Sequence, residues 1–432
     1  MFEILNIYLK CWIHNISGKK SPYSFSFKTL YREHTFRVPT ELKSDFTLGI
    51  KYWRKSWIAL RKKGEGELLR DQLVFDGDSK QKEQRLSYLA KIVEDSLDYI
   101  SVDSLEGISF TKAVLFSVFF TPLFFSLVLI SSVSKNRASY SLSILSITQN
   151  YLLLNAVRKH NIRKIYYFFP YENDANFNAL ILMDNGVEVI KVPGPNTLHR
   201  FHQFVVSNKL ALCTGFQFEQ VDLLKENWFV DEVYKWPLYG FQEYLGYVSQ
   251  NKTKKKYEIG LISSGIWRRR QLGLQSLDKE YESEELLIDW VRSYMVQNHI
   301  SKLFVYLHPI ERKTTEIYQE AMNYYSSIYP GVEVDFSEFD VKSFQDFDKV
   351  NLALSSHSTT NLQRLFCGYK VFYTPMLFQT PLFPNTSIDR ICLKEEGRFV
   401  KEVTSALKMT DQEFFDFYGL NEYHYGSVLS HK

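Results

Sequence analysis

Residues 350–375, VNLALSSHSTTNLQRLFCGYKVFYTP, constrain the fold more than any other stretch of the chain. An apolar run over 350–354 reads as a buried strand and passes directly into the hydroxyls of Ser355, Ser356, Ser358, Thr359 and Thr360. Ser and Thr are favoured helix N-caps. Leu362, Leu365 and Phe366 then fall on one helical face, with Gly368 placed to stop the helix. A second strand over 371–374 ends at Pro375. Such a unit gathers free backbone N–H groups, hydroxyls and the positive end of a helix dipole, which is what an anionic phosphate needs. The same hydroxyls also serve as plain helix caps, and both readings stay open on this stretch alone.

A second strand-like run over 303–307 ends in His308-Pro309, with a helical pattern from Lys313 onward. In a doubly wound sheet, ligands lie outside the carboxyl ends of the strands. His308 and the Ser/Thr cluster are therefore expected on one rim, sharing one ligand.

A strand ending in His-Pro, followed by a strand ending in Ser-Ser-x-Ser-Thr-Thr, a short helix and Gly-x-x-Val, resembles the nucleotide-sugar half of GT-B glycosyltransferases of bacterial surface polysaccharides. The resemblance covers roughly the last 180 residues. It is nearest to the sialyltransferase and polysialyltransferase-like groups and to the glycerophosphate transferases of capsule and teichoic-acid assembly. It implies that His308 and Pro309 contact the nucleotide. It also implies that Ser356, Ser358, Thr359 and Thr360 hold the phosphate. Many GT-B enzymes carry a ribose-gripping Glu about five residues before the Gly, where this chain has Gln363. An amide still accepts a hydrogen bond, but the departure weakens an assignment to the common UDP- and GDP-sugar types; the sialyltransferase-like resemblance implies a CMP-sugar.

At 432 residues and 45% hydrophobic content, the chain has the length for two domains with their own cores. A formal net charge of +3 provides no global field for nucleic acid, so none is expected as a partner. Cys11, Cys213, Cys367 and Cys392 have neither zinc nor redox spacing and read as reduced thiols of a cytosolic protein. Glu3 and Lys10 inside the first apolar run argue against a secretory signal.

The run at 4–9 reads as a buried strand that opens a first Rossmann-like domain. Over 51–63, KYWRKSWIALRKK sets Trp53 and Trp57 on one helical face flanked by Arg54, Lys55, Arg61, Lys62 and Lys63. This suits either the headgroup layer of an anionic membrane or an ordinary packing helix with a solvated basic face. Asp76-Gly77-Asp78 and Asp346-Phe347-Asp348 match the metal-binding DxD pattern, yet local signals favour turns or polar connections for both. No metal site is expected. The run at 113–133, AVLFSVFFTPLFFSLVLISSV, is uncharged and close to the ~20 residues that cross a bilayer. It fits a spanning helix, a segment dipping into one leaflet and turning at Pro122, or a buried helix pair. Monotopic contact is favoured, because spanning would strand the patterned first hundred residues outside the cell.

Regular α/β alternation resumes at Leu142, with strands over 164–169, 187–192 and 210–214. There is no Gly-x-Gly-x-x-Gly, so no dinucleotide is expected, nor any other cofactor. The basic connection around Lys252, Lys254, Lys255 and Lys256 marks a boundary between a domain at 1–250, with its apolar insertion near 113–133, and a domain at 257–432. The second domain opens with a strand over 257–262 that ends in Ser263, Ser264 and Gly265, a second backbone nest for phosphate. Arg268, Arg269 and Arg270 follow, of which one is expected at a ligand. The fold class is thus α/β, two Rossmann-like domains facing across a cleft, with a helical membrane-associating insertion in the first.

The function expected is metal-independent, inverting transfer from a nucleotide-sugar donor to a lipid-linked or growing capsule, O-antigen or lipooligosaccharide glycan. The setting is the cytoplasmic face of the inner membrane. The acceptor hydroxyl needs a base, for which Glu172 comes first and Asp174 second, both beyond the 164–169 strand, with Glu219 in reserve. His308 is expected to help stabilise the leaving phosphate. The alternatives are a glycerophosphate or polyol-phosphate transferase and a non-catalytic polysaccharide assembly protein.

Overall fold

The structure is a computed structural model, described for every residue except 31–44, 63–69, 77–81, 91, 94–96, 102–103, 134–136, 169–174, 193–203, 214, 237–254, 273–277, 379–381 and 424–432. The chain forms two compact units. Unit 1 comprises residues 1–213 and 221–237, and unit 2 comprises 214–220 and 238–432.

Unit 1 begins with α1 (Phe2–Ile16), α2 (Pro22–Leu30) and α3 (Asp45–Leu60). It continues through β1 (Gln72–Asp76), α4 (Lys82–Leu89), β2 (Asp98–Ser101), α5 (Phe110–Val133) and α6 (Arg137–Lys159). Then come β3 (Lys164–Tyr167), α7 (Ala175–Asp184), β4 (Glu188–Lys191), β5 (Val205–Leu212), α8 (Gly215–Leu224), whose residues 215–220 count with unit 2, and β6 (Trp228–Lys235). Among the described residues its six strands pair in the order β2-β1-β3-β4-β5-β6, all parallel.

The first element corrects the strand expected at 4–9. Ile4, Ile7, Tyr8 and Cys11 are buried, the i, i+3, i+4, i+7 spacing of a helix, and they join the core of unit 1. A six-residue apolar run carries too little periodicity to separate helix from strand, and only Cys11, one turn on, discriminates. A second correction concerns Pro122, which lies inside a continuous 24-residue helix, so α5 does not turn there. One face of α5 is buried, through Ala113, Phe116, Phe120, Phe124, Leu127 and Val128, and Phe116 stacks on Tyr151 of α6 at 4.6 Å. The opposite face stays exposed, so α5 is not a wholly buried core helix either.

The two acidic pairs do structural work where they are described. Asp76 ends β1, buried, with Arg85 at 2.9 Å; Gly77 and Asp78 lie outside the described residues. Asp346 and Asp348 sit buried in a 3-10 turn (Ser343–Lys349), where Asp346 pairs with Lys349 at 2.6 Å. Among the described residues no cluster of His, Cys, Asp and Glu is arranged to hold a metal. All four cysteines are buried, and none is in a disulfide.

Unit 2 runs β7 (Tyr257–Ile262), α9 (Ile266–Gln271), α10 (Asp278–Gln297), β8 (Lys302–Tyr306), α11 (Thr315–Ile328), β9 (Glu333–Phe336) and β10 (Val350–Ser355). It ends with α12 (Thr359–Phe366), β11 (Val371–Tyr373), α13 (Glu396–Lys408) and α14 (Asp411–Tyr418). Its sheet has the order β11-β10-β7-β8-β9, again all parallel. Strands covered on both faces must be apolar throughout, which is why Leu303, Phe304, Val305 and Tyr306 are all buried. The chain starts in the middle of the sheet, winds outward through β8 and β9, then returns to the other side of β7 for β10 and β11. The order therefore reverses between β7 and β10, and the crevice at such a reversal is where α/β sheets of this kind take their ligands.

Candidate functional site

The loop after β10 is built as its sequence dictates. Ser358 caps α12, its hydroxyl accepting the Thr360 N–H at 3.3 Å, while its own N–H donates to Ser355 Oγ at 2.9 Å. Leu362, Leu365 and Phe366 are buried together. Gly368, at φ +84°, ends the helix with its N–H on the Leu365 carbonyl at 2.9 Å. Thr359 and Thr360 form the half-buried first turn, and Gln363 is half-buried one turn further on.

The loop after β7 lies against it. The hydroxyls of Ser264 and Ser356 stand 3.5 Å apart across the point where the strand order reverses. Both are buried. Ser356 also meets His357 Nδ1 at 2.7 Å. The Ser264 N–H, a donor expected for phosphate, is already engaged by the buried carboxylate of Glu284. Ser263 Oγ accepts the Gly265 N–H at 2.8 Å and meets Tyr325 Oη at 2.6 Å.

Gly265 joins this loop to the one after β8. Its φ is +70°, and a Cβ there would meet Ile310 Cγ2 at 2.5 Å and His308 Nδ1 at 3.3 Å, so only glycine lets the two loops touch. His308 caps a 3-10 turn (Pro309–Arg312) with Pro309 in its first position. Its N–H donates to Glu311 Oε2 at 2.7 Å, and its Nδ1 accepts the Ile310 N–H at 3.1 Å. The His-Pro pair thus has a structural task, and that task fixes the ring. Burial first, then the Arg269 and Arg312 charges, push the imidazole down to about 3, so it is neutral at physiological pH. With Nδ1 accepting, the ring proton belongs on Nε2.

Nε2 faces Arg269 Nη2 at 3.3 Å. Of the three consecutive arginines, Arg268 pairs with Glu320 and Arg270 with Glu285, leaving Arg269 turned toward His308. Two donors, an imidazole N–H and a guanidinium, therefore converge without either being able to accept from the other. An oxygen anion between them satisfies both.

Serines 263, 264 and 356, Gly265 and His308 are thus brought into one neighbourhood on the rim of unit 2, with Ser358, Thr359 and Thr360 on the same loop as Ser356. Glu172 and Asp174 lie outside the described residues. Glu219 belongs to unit 2 on α8, and its carboxylate is engaged by Tyr423 Oη and by the Ser387 N–H at 3.2 Å, which leaves it poorly placed as a base. Sequence reasoning missed Glu284, and it passed over His357 although that residue stands inside the Ser/Thr cluster. The sequence leads one to expect one of the three arginines at a ligand without saying which, and Arg269 is the one that faces His308.

The fold defines a class, an α/β protein of two Rossmann-like units. No protein-family model and no curated protein matches the chain. Solved structures similar to it include the UDP-GlcNAc 2-epimerase of Neisseria meningitidis bound to UDP-GlcNAc, at 10% identity and TM-score 0.47, covering 83% of this chain and 97% of that one. MurG of Acinetobacter baumannii is similar at 8% identity and TM-score 0.42, covering 82% and 94%. A glycosyltransferase of Rickettsia africae ESF-5 stands at 10% identity and TM-score 0.42, covering 83% and 96%. Likeness at this level transfers no reaction or ligand.

Proposed function

We propose that unit 2 binds the phosphate of a sugar nucleotide, a CMP-sugar for preference, and that the chain is a metal-independent, inverting glycosyltransferase of the GT-B kind. The acceptor in this reading is a lipid-linked or growing surface glycan at the cytoplasmic face of a bacterial inner membrane. The observation that carries the reading is the meeting of the His308 imidazole with the Arg269 guanidinium at 3.3 Å, together with that of the Ser264 and Ser356 hydroxyls at 3.5 Å across the reversal of strand order. The resemblance of the His-Pro and Ser-Ser-x-Ser-Thr-Thr motifs to the nucleotide-sugar half of surface-polysaccharide transferases supports the same ligand.

In this reaction the acceptor oxygen attacks the anomeric carbon as the bond to the nucleotide phosphate breaks. The acceptor proton passes to a carboxylate, Glu172 first and Asp174 second. Negative charge grows on the departing phosphate, where Arg269, the His308 N–H and the start of α12 stabilise it. A neutral imidazole suits this task, since it donates without itself titrating at working pH.

The test is calorimetric titration of the whole chain with CMP, CDP, UDP and GDP and their sugar conjugates, with thermal shift alongside. One nucleotide class is expected to bind and stabilise, and mass spectrometry of the matched acceptor should then show a new glycosidic bond. Neither heat nor stabilisation with any of them at millimolar concentration overturns the reading. A product gaining a phosphodiester identifies a polyol-phosphate transferase instead.

A further inference from the structure

On α3, Ile50, Trp53, Arg54 and Trp57 follow the i, i+3, i+4, i+7 spacing of one helical face, and on α5 Ser117 and Thr121 stand one turn apart. Together they line a groove of about 370 Å³. Trp53 packs edge-on to the buried Phe124 at 6.1 Å and Trp57 edge-on to the exposed Phe110 at 6.4 Å. Arg54 is exposed, as are Lys51 and Lys55 on the same helix, Arg61 and Lys62 just past its end and Lys112 at the start of α5.

The surface flanking this groove is apolar. Leu115, Val118, Phe125, Leu129 and Ile130 of α5 face outward, with Val118 67% exposed. Helix α1 extends the surface, because Phe2 meets Phe119 ring to ring at 4.7 Å. Its Leu9, Trp12, Ile13 and Ile16 are exposed opposite the face it buries in the core, so α1 is apolar on both sides. Glu3 is paired with Arg158 and Glu106 with Lys159, which removes two acidic charges from competition with an anionic surface.

We propose that α1, α3 and α5 lie in the plane of an anionic phospholipid bilayer, and that the α3/α5 groove holds the phosphate headgroup of one lipid. Arg54 pairs with the phosphate, the Ser117 hydroxyl donates to one of its oxygens, and the tryptophans occupy the headgroup level, while the Thr121 hydroxyl donates to the Ser117 carbonyl at 2.7 Å and lines the groove. The acyl chains run along the exposed face of α5. Residues Phe110–Ile130 are long and apolar enough to cross a bilayer. Spanning is nevertheless disfavoured by α3, which runs beside α5 and would carry Lys51, Arg54 and Lys55 into hydrocarbon. In the plane those side chains reach phosphates. The mode of binding is independent of what unit 2 does.

The test uses the whole chain with vesicles of phosphatidylcholine alone and with phosphatidylglycerol added, followed by native mass spectrometry after gentle detergent extraction. Sedimentation with the anionic vesicles is expected, at least tenfold stronger than with the neutral ones. One phosphatidylglycerol should be retained per chain. Arg54→Glu should abolish retention and weaken sedimentation about tenfold, and Val118→Asp or Trp12→Glu should weaken sedimentation with circular dichroism unchanged; all three positions are exposed. Glycerol phosphate at millimolar concentration should not displace the vesicles, which separates a lipid from a free phosphate ester. The proposal is overturned if the wild-type chain ignores anionic vesicles, if Arg54→Glu retains the lipid, or if the apolar face proves to be covered by a second copy in a dimer that Val118→Asp dissociates.

Discussion

Both carboxylate oxygens of Glu284 accept the same N–H, that of Ser264, at 2.9 and 3.1 Å, and one of them also takes the Ser356 hydroxyl at 3.4 Å. A single side chain of α10 thereby ties the loop after β7 to the loop after β10, the two that flank the reversal of strand order.

Burial lifts the Glu284 carboxyl to about 7, against the bonds from Ser264 that favour its charged form. A carboxyl raised in the folded state holds its proton longer there than in the unfolded chain. Its contribution to stability is therefore complete below the ordinary carboxylate range and lost as pH rises through about 7. The melting temperature should fall by several degrees between pH 5 and pH 8 in the wild type. In Glu284→Gln that fall should be markedly smaller, and equal slopes in the two proteins would disprove the linkage.

Lys370 reverses the sign. It is buried, and its ammonium donates to the Ala406 carbonyl at 2.7 Å and to that of Met409, at the end of α13. Burial, then the charge of Lys255, lower it to about 8. Between about 8 and the ordinary lysine range the unfolded chain binds the proton more tightly, so this residue makes stability rise with pH across that window. Chemical denaturation at pH 8 and pH 10 should show a difference that Lys370→Met removes.

Arg364 is fully buried on α12, and its guanidinium donates to the carbonyls of Lys370, Phe347, Val350 and Asn351 and to the Tyr306 hydroxyl. It ties α12 to the turn before β10 and to the start of that strand. Lysine has one nitrogen where five donors are in use, so Arg364→Lys should cost about 3–5 kcal/mol, measured by urea unfolding. A loss under 1 kcal/mol would show that the carbonyls find other partners.

What was legible in the sequence and what was not divide along the reach of each interaction. The capped start of α12, its buried face and Gly368 are set within ten residues, so spacing alone reveals them. The strand at 303–307 is legible because a strand covered on both faces leaves an unbroken apolar run. By contrast Glu284 meets partners 20 and 72 residues away, and Arg364 reaches Tyr306 across 58, distances over which spacing carries no signal. β6, an edge strand with only half-buried or exposed side chains, has too little apolar pattern to announce itself. The use of Glu284 against Ser264 N–H has the same origin, since a nest read from Ser-Ser-Gly does not reveal a distant acid filling it.

The pairing of His308 with Arg269 leads to the sharpest measurement. If both donate to one phosphate, His308→Ala and Arg269→Ala should each weaken binding of the matched nucleotide about tenfold to a hundredfold, the worth of about 1.5–3 kcal/mol for a charge-assisted hydrogen bond. Because the two share a ligand, the double variant should lose less than the product of the singles. Ser358→Ala supplies the contrast. Its hydroxyl caps α12, so the change should lower stability by about 1 kcal/mol whether or not a phosphate binds there. Only a fall in affinity in the protein that stays folded assigns Ser358 to the ligand as well. Calorimetric titration of the two singles and the double, each first shown to be folded by circular dichroism, resolves the site. Unchanged affinity in folded His308→Ala rules out a shared phosphate and leaves the His-Pro pair with capping as its whole task.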